Sequence, residues 1–288
     1  MKTLKYCIKH WWKKSDPQTN VITDILARHY NIIYDDKNPQ LIIYSSYNGF
    51  NKNTSIIKDI PSLFIMGENW FIPNIPTGIH YSMTFEPTKD NNLQAGYPLF
   101  FNCGRINKDI NKDKDKLLNE RKLENFENKK FACAVISNNM SCGVEFRINL
   151  VDIISKYKNI DYGGKWRNNV GGLVLNKLKF LNNYKFNICC ENSQRDMYIT
   201  EKILDAYLGN TIPIYAGGNA ETIFNPDSFI NLNNKSEEEI IETIKEVNEN
   251  DELYKKMYNA PILLDENYFK KKYEEIEQFL VNLVEKIL

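Results

Sequence analysis

Four polar side chains that could bind an anion and hydroxyl groups lie close together in the sequence, between a predicted strand and a predicted helix. Asn192, Tyr198, Glu201 and Lys202 follow the largely apolar strand 184–190. The connection that leaves the carboxyl end of a parallel strand is where α/β sheets bind their ligands. A crossover with a purely structural role would not need this concentration of hydrogen-bonding and charged groups.

Lys202 falls in the first turn of a helix predicted over 201–208, with Thr200 as its N-cap and Gly209 as its stop. A lysine there opposes the helix dipole, so the stability of the helix does not explain it. A bound phosphate does, because exposed backbone N–H groups and an ammonium together form an anion site. Arg147, on the preceding predicted helix, could supply a second, planar clamp for a diphosphate. A solvated surface lysine is the alternative, and Lys202 alone would be read that way.

Composition limits the class of protein. The chain has 288 residues, enough for two domains, and its 37 basic and 37 acidic residues cancel. Nucleic acid is therefore excluded as the main partner, since phosphate backbones require a basic excess. The six cysteines lack zinc-site spacing and are expected to be buried free thiols. The pair Asp113 and Asp115 resembles a metal motif, but its mixed-charge surroundings favour a solvated linker.

The pattern of apolar runs predicts an α/β fold. Short, continuous apolar strands such as 41–44 and 63–66 alternate with helical segments, as in parallel sheets covered on both faces. The charged stretch 105–130 interrupts this alternation, and we expect the boundary between two domains to lie within it. We therefore expect an N-terminal domain over 1–125, a C-terminal domain over 126–265, and a terminal helix over 266–288 that packs back on the body.

No apolar segment has the length of a signal peptide or of a membrane span. This predicts a cytoplasmic location, peripheral to a membrane at most. The oligomeric state is left open.

The spacing of the polar cluster resembles the signature of the α-1,3-fucosyltransferases, glycosyltransferase family 10, and is most similar to that of bacterial members. Its core consists of Glu191-Asn192-Ser193, Tyr198-x-Thr200-Glu201-Lys202 and Ile212-Pro213-Ile214-Tyr215-x-Gly217. The resemblance extends outward to His10-Trp11-Trp12, Val135-Ile136-Ser137-Asn138, Gly163-Gly164 with Arg167-Asn168, and 224–231. The resemblance is strong over about 131–232 and weaker over 5–101.

This resemblance implies a GT-B architecture, in which two Rossmann-like domains face a central cleft. The N-terminal domain would be on the acceptor side, and the C-terminal domain would hold GDP-fucose without an obligatory cofactor or metal ligand set. Carried over to this sequence, Arg147 and Lys202 contact the diphosphate and Tyr198 contacts the nucleoside. Asn192 and Glu201 lie near the ribose or fucose, and Glu201 is also assigned to catalysis beside the transferring sugar.

A single-displacement transfer needs a carboxylate that deprotonates the acceptor hydroxyl. The resemblance places it in the N-terminal domain, within the segment from His80 to Pro87, and Glu86 is the candidate base. An ungapped alignment puts the family's glutamate on Pro87, one residue away, so Glu68 is the reserve candidate. A surface carboxylate is the alternative for Glu86, and His80 and His10 are lesser candidates.

The sequence thus predicts an inverting enzyme that moves L-fucose from GDP-fucose to a hydroxyl of an oligosaccharide or glycoconjugate, O3 of N-acetylglucosamine. Two alternatives stay open. The donor could be another GDP-sugar, because nothing in the motif is specific for fucose. The protein could also be an inactive relative that binds glycan or nucleotide, which the offset at Glu86 would favour.

Overall fold

The computed structural model describes residues 1–11, 16–47, 50, 53–67, 77–96, 121, 126–138 and 144–288. The chain forms two compact units, one of Met1–Lys108 with Asn267–Leu288 and one of Asp109–Glu266. The predicted domain bounds of 1–125 and 126–265 stay a prediction, because most residues from 97 to 125 lie outside the described part of the chain.

The described strands and helices alternate along each unit. The strands are β1 (Thr3–Lys9), β2 (Asn31–Tyr34), β3 (Leu41–Ser45), β4 (Ser62–Ile65), β5 (Tyr81–Thr84), β6 (Asn92–Gln94), β7 (Lys130–Ala134), β8 (Ile160–Tyr162), β9 (Tyr184–Ile188), β10 (Ile212–Tyr215) and β11 (Ile230–Asn231). The helices are α1 (Val21–His29), α2 (Val144–Tyr157), α3 (Lys177–Leu181), α4 (Glu201–Leu208), α5 (Glu237–Glu249), α6 (Asp251–Asn259) and α7 (Tyr268–Glu285).

The sheet of the first unit has the strand order β2-β1-β3-β4-β5-β6, and all its described pairs are parallel. Every residue of β3 and β4 is buried, as their continuous apolar runs predict. The chain passes from β1 to β2 on one side and later to β3 on the other. The carboxyl ends of β1 and β3 therefore flank a topological switch point, the usual ligand position of such sheets.

Two helices complete the core of the first unit. Asn20 caps α1 with a full capping box, which defines the start of the helix. The terminal helix α7 contacts α1 and contributes Ile276, Leu280, Leu283 and Val284 to the same apolar cluster. The last helix of the chain therefore packs on the N-terminal unit.

The sheet of the second unit has the order β11-β10-β9-β7-β8, again with parallel pairs throughout the described strands. Its switch point lies between β7 and β9. Helix α4 has its predicted bounds. Ser236 forms a capping box with Glu239 at the start of α5.

Several predictions outside the site can be compared with the described residues. The cysteines Cys7, Cys133, Cys189 and Cys190 are free and buried, as expected. The residues Cys103, Cys142, Asp113 and Asp115 lie outside the described part of the chain. Within that part, no group of His, Cys, Asp and Glu side chains could hold a metal ion, and no helix is long and apolar enough to cross a membrane.

Candidate functional site

The candidate site lies at the carboxyl edge of the second sheet. Asn138 follows β7, Glu191 follows β9, and Gly217 follows β10. Because β7 and β9 flank the switch point, their terminal loops bound the position where α/β sheets bind ligands. The N-terminus of α4 follows the β9 loop, so its exposed N–H groups belong to the same region.

A fully buried carboxylate organises this edge. Glu191 is 0% exposed, and its Oε1 accepts hydrogen bonds from the backbone N–H of Thr200 at 2.8 Å and from its hydroxyl at 2.7 Å. Its Oε2 accepts from the ammonium of Lys202 at 2.6 Å. A buried carboxylate must be paired in this way, because an isolated one would be far too costly to desolvate.

Lys202 is thus the partner of a buried acid as well as a candidate phosphate ligand. Its Nζ also donates to the Thr200 hydroxyl at 2.8 Å, while 25% of its side chain stays exposed. The interpretation of Lys202 as either a phosphate ligand or a solvated lysine therefore omitted an internal ion pair. That pair supplies a local reason for a cation in the first turn of α4.

Thr200 departs from the role that the sequence predicted. It occupies the N-cap position of α4, but its side chain makes no capping hydrogen bond. The hydroxyl donates to Glu191 and accepts from Lys202 instead. The N–H groups of the first turn are consequently not satisfied by a side-chain cap, which suits an anion site.

The charges of the cluster set its protonation. Burial, the largest effect on both groups, raises the pKa of the Glu191 carboxyl and by itself would lower the pKa of the Lys202 ammonium. The carboxylates of Glu191 and Glu201 outweigh that effect, so the pKa of Lys202 is raised. Lys202 is therefore a cation at neutral pH.

Arg147 lies in α2, on the other side of the switch point. Only 8% of it is exposed, and its Nη2 donates to the backbone oxygen of Asn138 at 2.6 Å. Its charge lowers the pKa of Lys202, opposing the carboxylates, which indicates that the two cations share one electrostatic environment. Arg147 and Lys202 are therefore near enough for their charges to interact, and their binding of a diphosphate stays a prediction.

The remaining predicted ligands differ in their exposure. Asn192 is partly buried, and its Oδ1 has no hydrogen-bond partner among the described residues. Glu201, in the first turn of α4, is also partly exposed. Tyr198 is only 2% exposed, so its ring is packed inside the unit. Its predicted contact with a nucleoside stays a prediction, and this burial stands against it.

The candidate base Glu86 lies in the first unit, two residues after β5. Its backbone N–H donates to the Thr84 hydroxyl at 3.1 Å, and its backbone oxygen accepts from Asn92 at 3.1 Å. Its side chain is partly buried. The reserve candidate Glu68 lies outside the described residues, although it follows β4 in the sequence.

The two histidines have different surroundings. His80 hydrogen-bonds Ser62, its Nδ1 lying 2.9 Å from the serine hydroxyl, at the start of β4. His10 directly follows β1 with a positive φ of 61°, and its ring stacks on Tyr44 and meets Phe50 edge-on. His80 is therefore at the amino edge of the sheet and His10 at the carboxyl edge, near the switch point.

Sequence reasoning assigned no role to Glu191. A signal was available, because this glutamate directly follows the buried segment 186–190, and an acid in such a position requires a nearby cation. What the sequence could not show is that the cation is Lys202, eleven residues further along the chain.

Comparisons with known proteins address both units. The family model described as "Glycosyltransferase family 10 (fucosyltransferase) C-term" matches residues 126–275. The model of the "Alpha-(1,3)-fucosyltransferase FucT N-terminal domain" matches residues 7–102. The Alpha-(1,3)-fucosyltransferase FucT of Helicobacter pylori is 27% identical over 290 residues, which cover 90% of this chain and 60% of that protein. The chain thus spans less than two thirds of that relative's length.

Two solved structures have the same fold over nearly the whole chain. A crystal structure of an α1,3-fucosyltransferase has a TM-score of 0.79 at 26% identity and covers 99% of this chain and 90% of that one. A crystal structure of an α1,3-fucosyltransferase with GDP-fucose has a TM-score of 0.70 at 23% identity, covering 96% and 91%. The expected α/β fold of the GT-B type, with two Rossmann-like domains, is confirmed. The central cleft between them stays a prediction.

Proposed function

The chain belongs to glycosyltransferase family 10, the fucosyltransferase family, and from that premise we propose that it transfers L-fucose from GDP-fucose to a glycan hydroxyl. Membership confirms the resemblance found in the sequence. We further propose that O3 of N-acetylglucosamine is the acceptor atom, that the transfer inverts the sugar's configuration, and that the enzyme works in the cytoplasm without a metal.

The observation that carries this proposal is the pair of cations at the switch point of the second sheet. Lys202 lies at the N-terminus of α4 and is held on Glu191, and Arg147 shares its electrostatic environment. A diphosphate bound there would meet both cations and the uncapped N–H groups of the helix. This set of groups suits GDP better than a neutral ligand.

The proposed reaction is a single displacement. The acceptor oxygen bonds to the anomeric carbon of fucose while the bond from that carbon to the β-phosphate oxygen breaks, and the electron pair leaves with GDP. Arg147 and Lys202 offset the negative charge that develops on the departing diphosphate. Asn192, whose Oδ1 lacks a partner among the described residues, and Glu201 would accept hydroxyl hydrogen bonds from ribose or fucose.

The acceptor's proton goes to a carboxylate of the first unit. We propose Glu86 as this base, with Glu68 as the second candidate. Glu68 follows β4 in the sequence and lies outside the described residues, so its candidacy rests on the sequence alone.

Turnover with two donors tests the proposal. The protein is incubated with N-acetyllactosamine and either GDP-fucose or GDP-mannose, and GDP release and the mass of the product are measured. We expect a fucosylated product and no mannosylated one. GDP binding without turnover on N-acetyllactosamine or other glycan acceptors would instead indicate a nucleotide-binding relative, and turnover with GDP-mannose alone would overturn the choice of donor.

A further inference from the structure

We propose that Glu191 is a positioning residue of the donor site, which holds the ammonium of Lys202 in place for the diphosphate and keeps it charged. This inference rests on the proposed GDP-sugar function. Glu191 itself would not touch the donor, since it is 0% exposed and lies behind the lysine.

The hydrogen bonds of the cluster support this assignment. Three donor groups converge on the Glu191 carboxylate, and one of them is the Lys202 ammonium at 2.6 Å. A second bond from the ammonium, to the Thr200 hydroxyl at 2.8 Å, fixes its direction. A lysine side chain has four rotatable bonds, so two such contacts remove most of its freedom before a ligand arrives. One ammonium hydrogen is left over for an anion.

The arrangement has a buried side and an exposed side. Glu191 is enclosed, whereas a quarter of the Lys202 side chain is exposed at the start of α4. An anion that approaches from solvent therefore meets the cation and not the acid. A pair with only a structural purpose would not need to present its cation beside uncapped helix N–H groups.

Gly217 provides independent evidence that the position of Glu191 is defined. A Cβ placed on Gly217 would lie 2.6 Å from Cγ and 2.8 Å from Cβ of Glu191. The backbone after β10 therefore packs directly against the side chain of the acid. The backbone N–H of Gly217 donates to Asn233 Oδ1 at 3.0 Å, and this hydrogen bond holds the backbone after β10 in place.

The charge of Lys202 depends on groups from three elements. Glu191 after β9 and Glu201 on α4 raise the pKa of the ammonium, whereas its burial and Arg147 on α2 lower it. Cys189 and Tyr215 also lie near the pair, and burial raises the pKa of both well above their usual values, so they stay neutral. If the charge of Glu191 is removed, burial and Arg147 still lower the pKa of Lys202, and only Glu201 still raises it.

The test is the pH dependence of GDP binding to the full chain. Glu191→Gln keeps the size of the side chain and an oxygen that can accept from Thr200, but removes the charge. GDP affinity is measured by titration calorimetry for wild type and variant, and the ratio of their Kd values is followed from about pH 7 to pH 9. Taking the ratio cancels the ionisation of GDP itself. We expect the Kd of the variant, divided by that of wild type, to rise about threefold or more over this range. The reason is that the charged form of an ammonium decreases by up to about tenfold for each pH unit above its pKa.

A matched control is available in the same unit. Lys177 and Asp205 form another partly buried ion pair, with 2.8 Å between Nζ and Oδ2. Asp205→Asn should give a Kd ratio to wild type that is close to one and constant with pH. A constant ratio for Glu191→Gln, or a rise of equal size for Asp205→Asn, would overturn the inference.

A second measurement does not depend on GDP. The ε-carbon resonance of Lys202, assigned with Lys202→Met in lysine-labelled protein, is titrated in wild type and in Glu191→Gln. The inference predicts a lower pKa for Lys202 in the variant, and an unchanged one would contradict it. The two failures can be told apart. If wild type does not bind GDP but the pKa of Lys202 is lower in the variant, the proposed function is wrong. Glu191 then still keeps Lys202 charged, but not for a diphosphate.

Discussion

Glu191 and Lys202 show why the stability of a single variant at this site must be measured beside its GDP affinity. The acid is fully buried, and Lys202 is the only ammonium it accepts from among the described residues. Removing one member of such a pair leaves an uncompensated charge inside the protein, which is far more destabilising than removing both. A loss of activity in a single variant is therefore interpreted together with its free energy of unfolding, which separates binding from folding.

Lys202→Met is expected to lower the free energy of unfolding by about 3 kcal/mol near pH 8. Burial raises the pKa of Glu191, and the ammonium that opposes this effect is gone in the variant. A group whose pKa is higher in the folded state than in the unfolded state stabilises the protein at pH values below its unfolded-state pKa. This stabilisation is lost as the pH rises through the folded-state pKa. The destabilisation should thus be smaller near about pH 5, as measured by urea unfolding at the two pH values.

The double variant Glu191→Gln/Lys202→Met controls for this effect, because it removes both charges. Its free energy of unfolding should be higher than that of Lys202→Met alone and should vary less with pH. Equal stability of the single and double variants at both pH values would show that Glu191 does not depend on Lys202.

The identity of the base is decided by two further variants, Glu86→Gln and Glu68→Gln. Losing a general base lowers kcat by roughly 10²- to 10⁴-fold and leaves GDP affinity unchanged, because the proton is transferred only in the reaction. We expect this result for Glu86→Gln and a smaller effect for Glu68→Gln. The opposite order would move the role to Glu68, and full activity of both variants would exclude both residues.

At the scale of elements, β5, β6 and the loop between them form one hydrogen-bonded unit. Asn92 Oδ1 accepts from the hydroxyls of Ser82 and Thr84, both at 2.8 Å, and its Nδ2 donates to the backbone oxygens of Glu86 and Pro87 at 3.1 and 3.0 Å. All four hydrogen-bonding positions of the amide are used. Asn92 therefore anchors the loop that carries Glu86, together with the side-chain amide of Gln94, which donates to the backbone oxygen of Phe85 at 3.0 Å.

Asn92→Ala should lower the free energy of unfolding of the first unit by about 2 kcal/mol, because it leaves two partly buried hydroxyls and two carbonyls without their partner. Asn91→Ala, at the exposed neighbouring position, is the matched control and should change it by less than about 0.5 kcal/mol. Thermal unfolding monitored by circular dichroism compares the two. Similar melting temperatures for both variants would show that the network is not important for stability.

Elements were predictable where local signals decide them. The capping residues Asn20 and Ser236, the apolar runs of β3 and β4, and the bounds of α4 could all be read from the sequence, because they depend on neighbouring residues. The hydroxyl of Thr200 could not be placed, since its partner Glu191 belongs to another element. The motif located the site, whereas the ion pair inside it required the fold.

At the scale of the whole molecule, the chain returns to its first unit after completing the second. Helix α7 contributes Ile276, Leu280, Leu283 and Val284 to the core that β1, β3 and α1 build. The apolar spacing of α7 predicted that it packs on the protein, but a contact between residues more than two hundred positions apart leaves no local signal. Only the structure identifies the unit it joins.

Leu280→Ala tests the contribution of α7 to the first unit. Leu280 is 0% exposed, and truncating such a leucine costs about 2–5 kcal/mol of unfolding free energy. Glu274→Ala, on the exposed face of the same helix, should have little effect. Hydrogen exchange should show lost protection in the strands of the first unit for Leu280→Ala and unchanged protection for Glu274→Ala. Equal stabilities would mean that α7 is not part of that core.

The central claim is that the cations at the switch point of the second sheet bind the diphosphate of a GDP-sugar. Calorimetric titration of GDP into wild type and the double variant Glu191→Gln/Lys202→Met tests it most directly, with Lys177→Met/Asp205→Asn as a double variant of another ion pair. We predict that wild type and the control bind GDP alike, and that the site variant binds roughly tenfold to a hundredfold more weakly, since one charged hydrogen bond is lost. A site variant that binds GDP as tightly as wild type would contradict the claim.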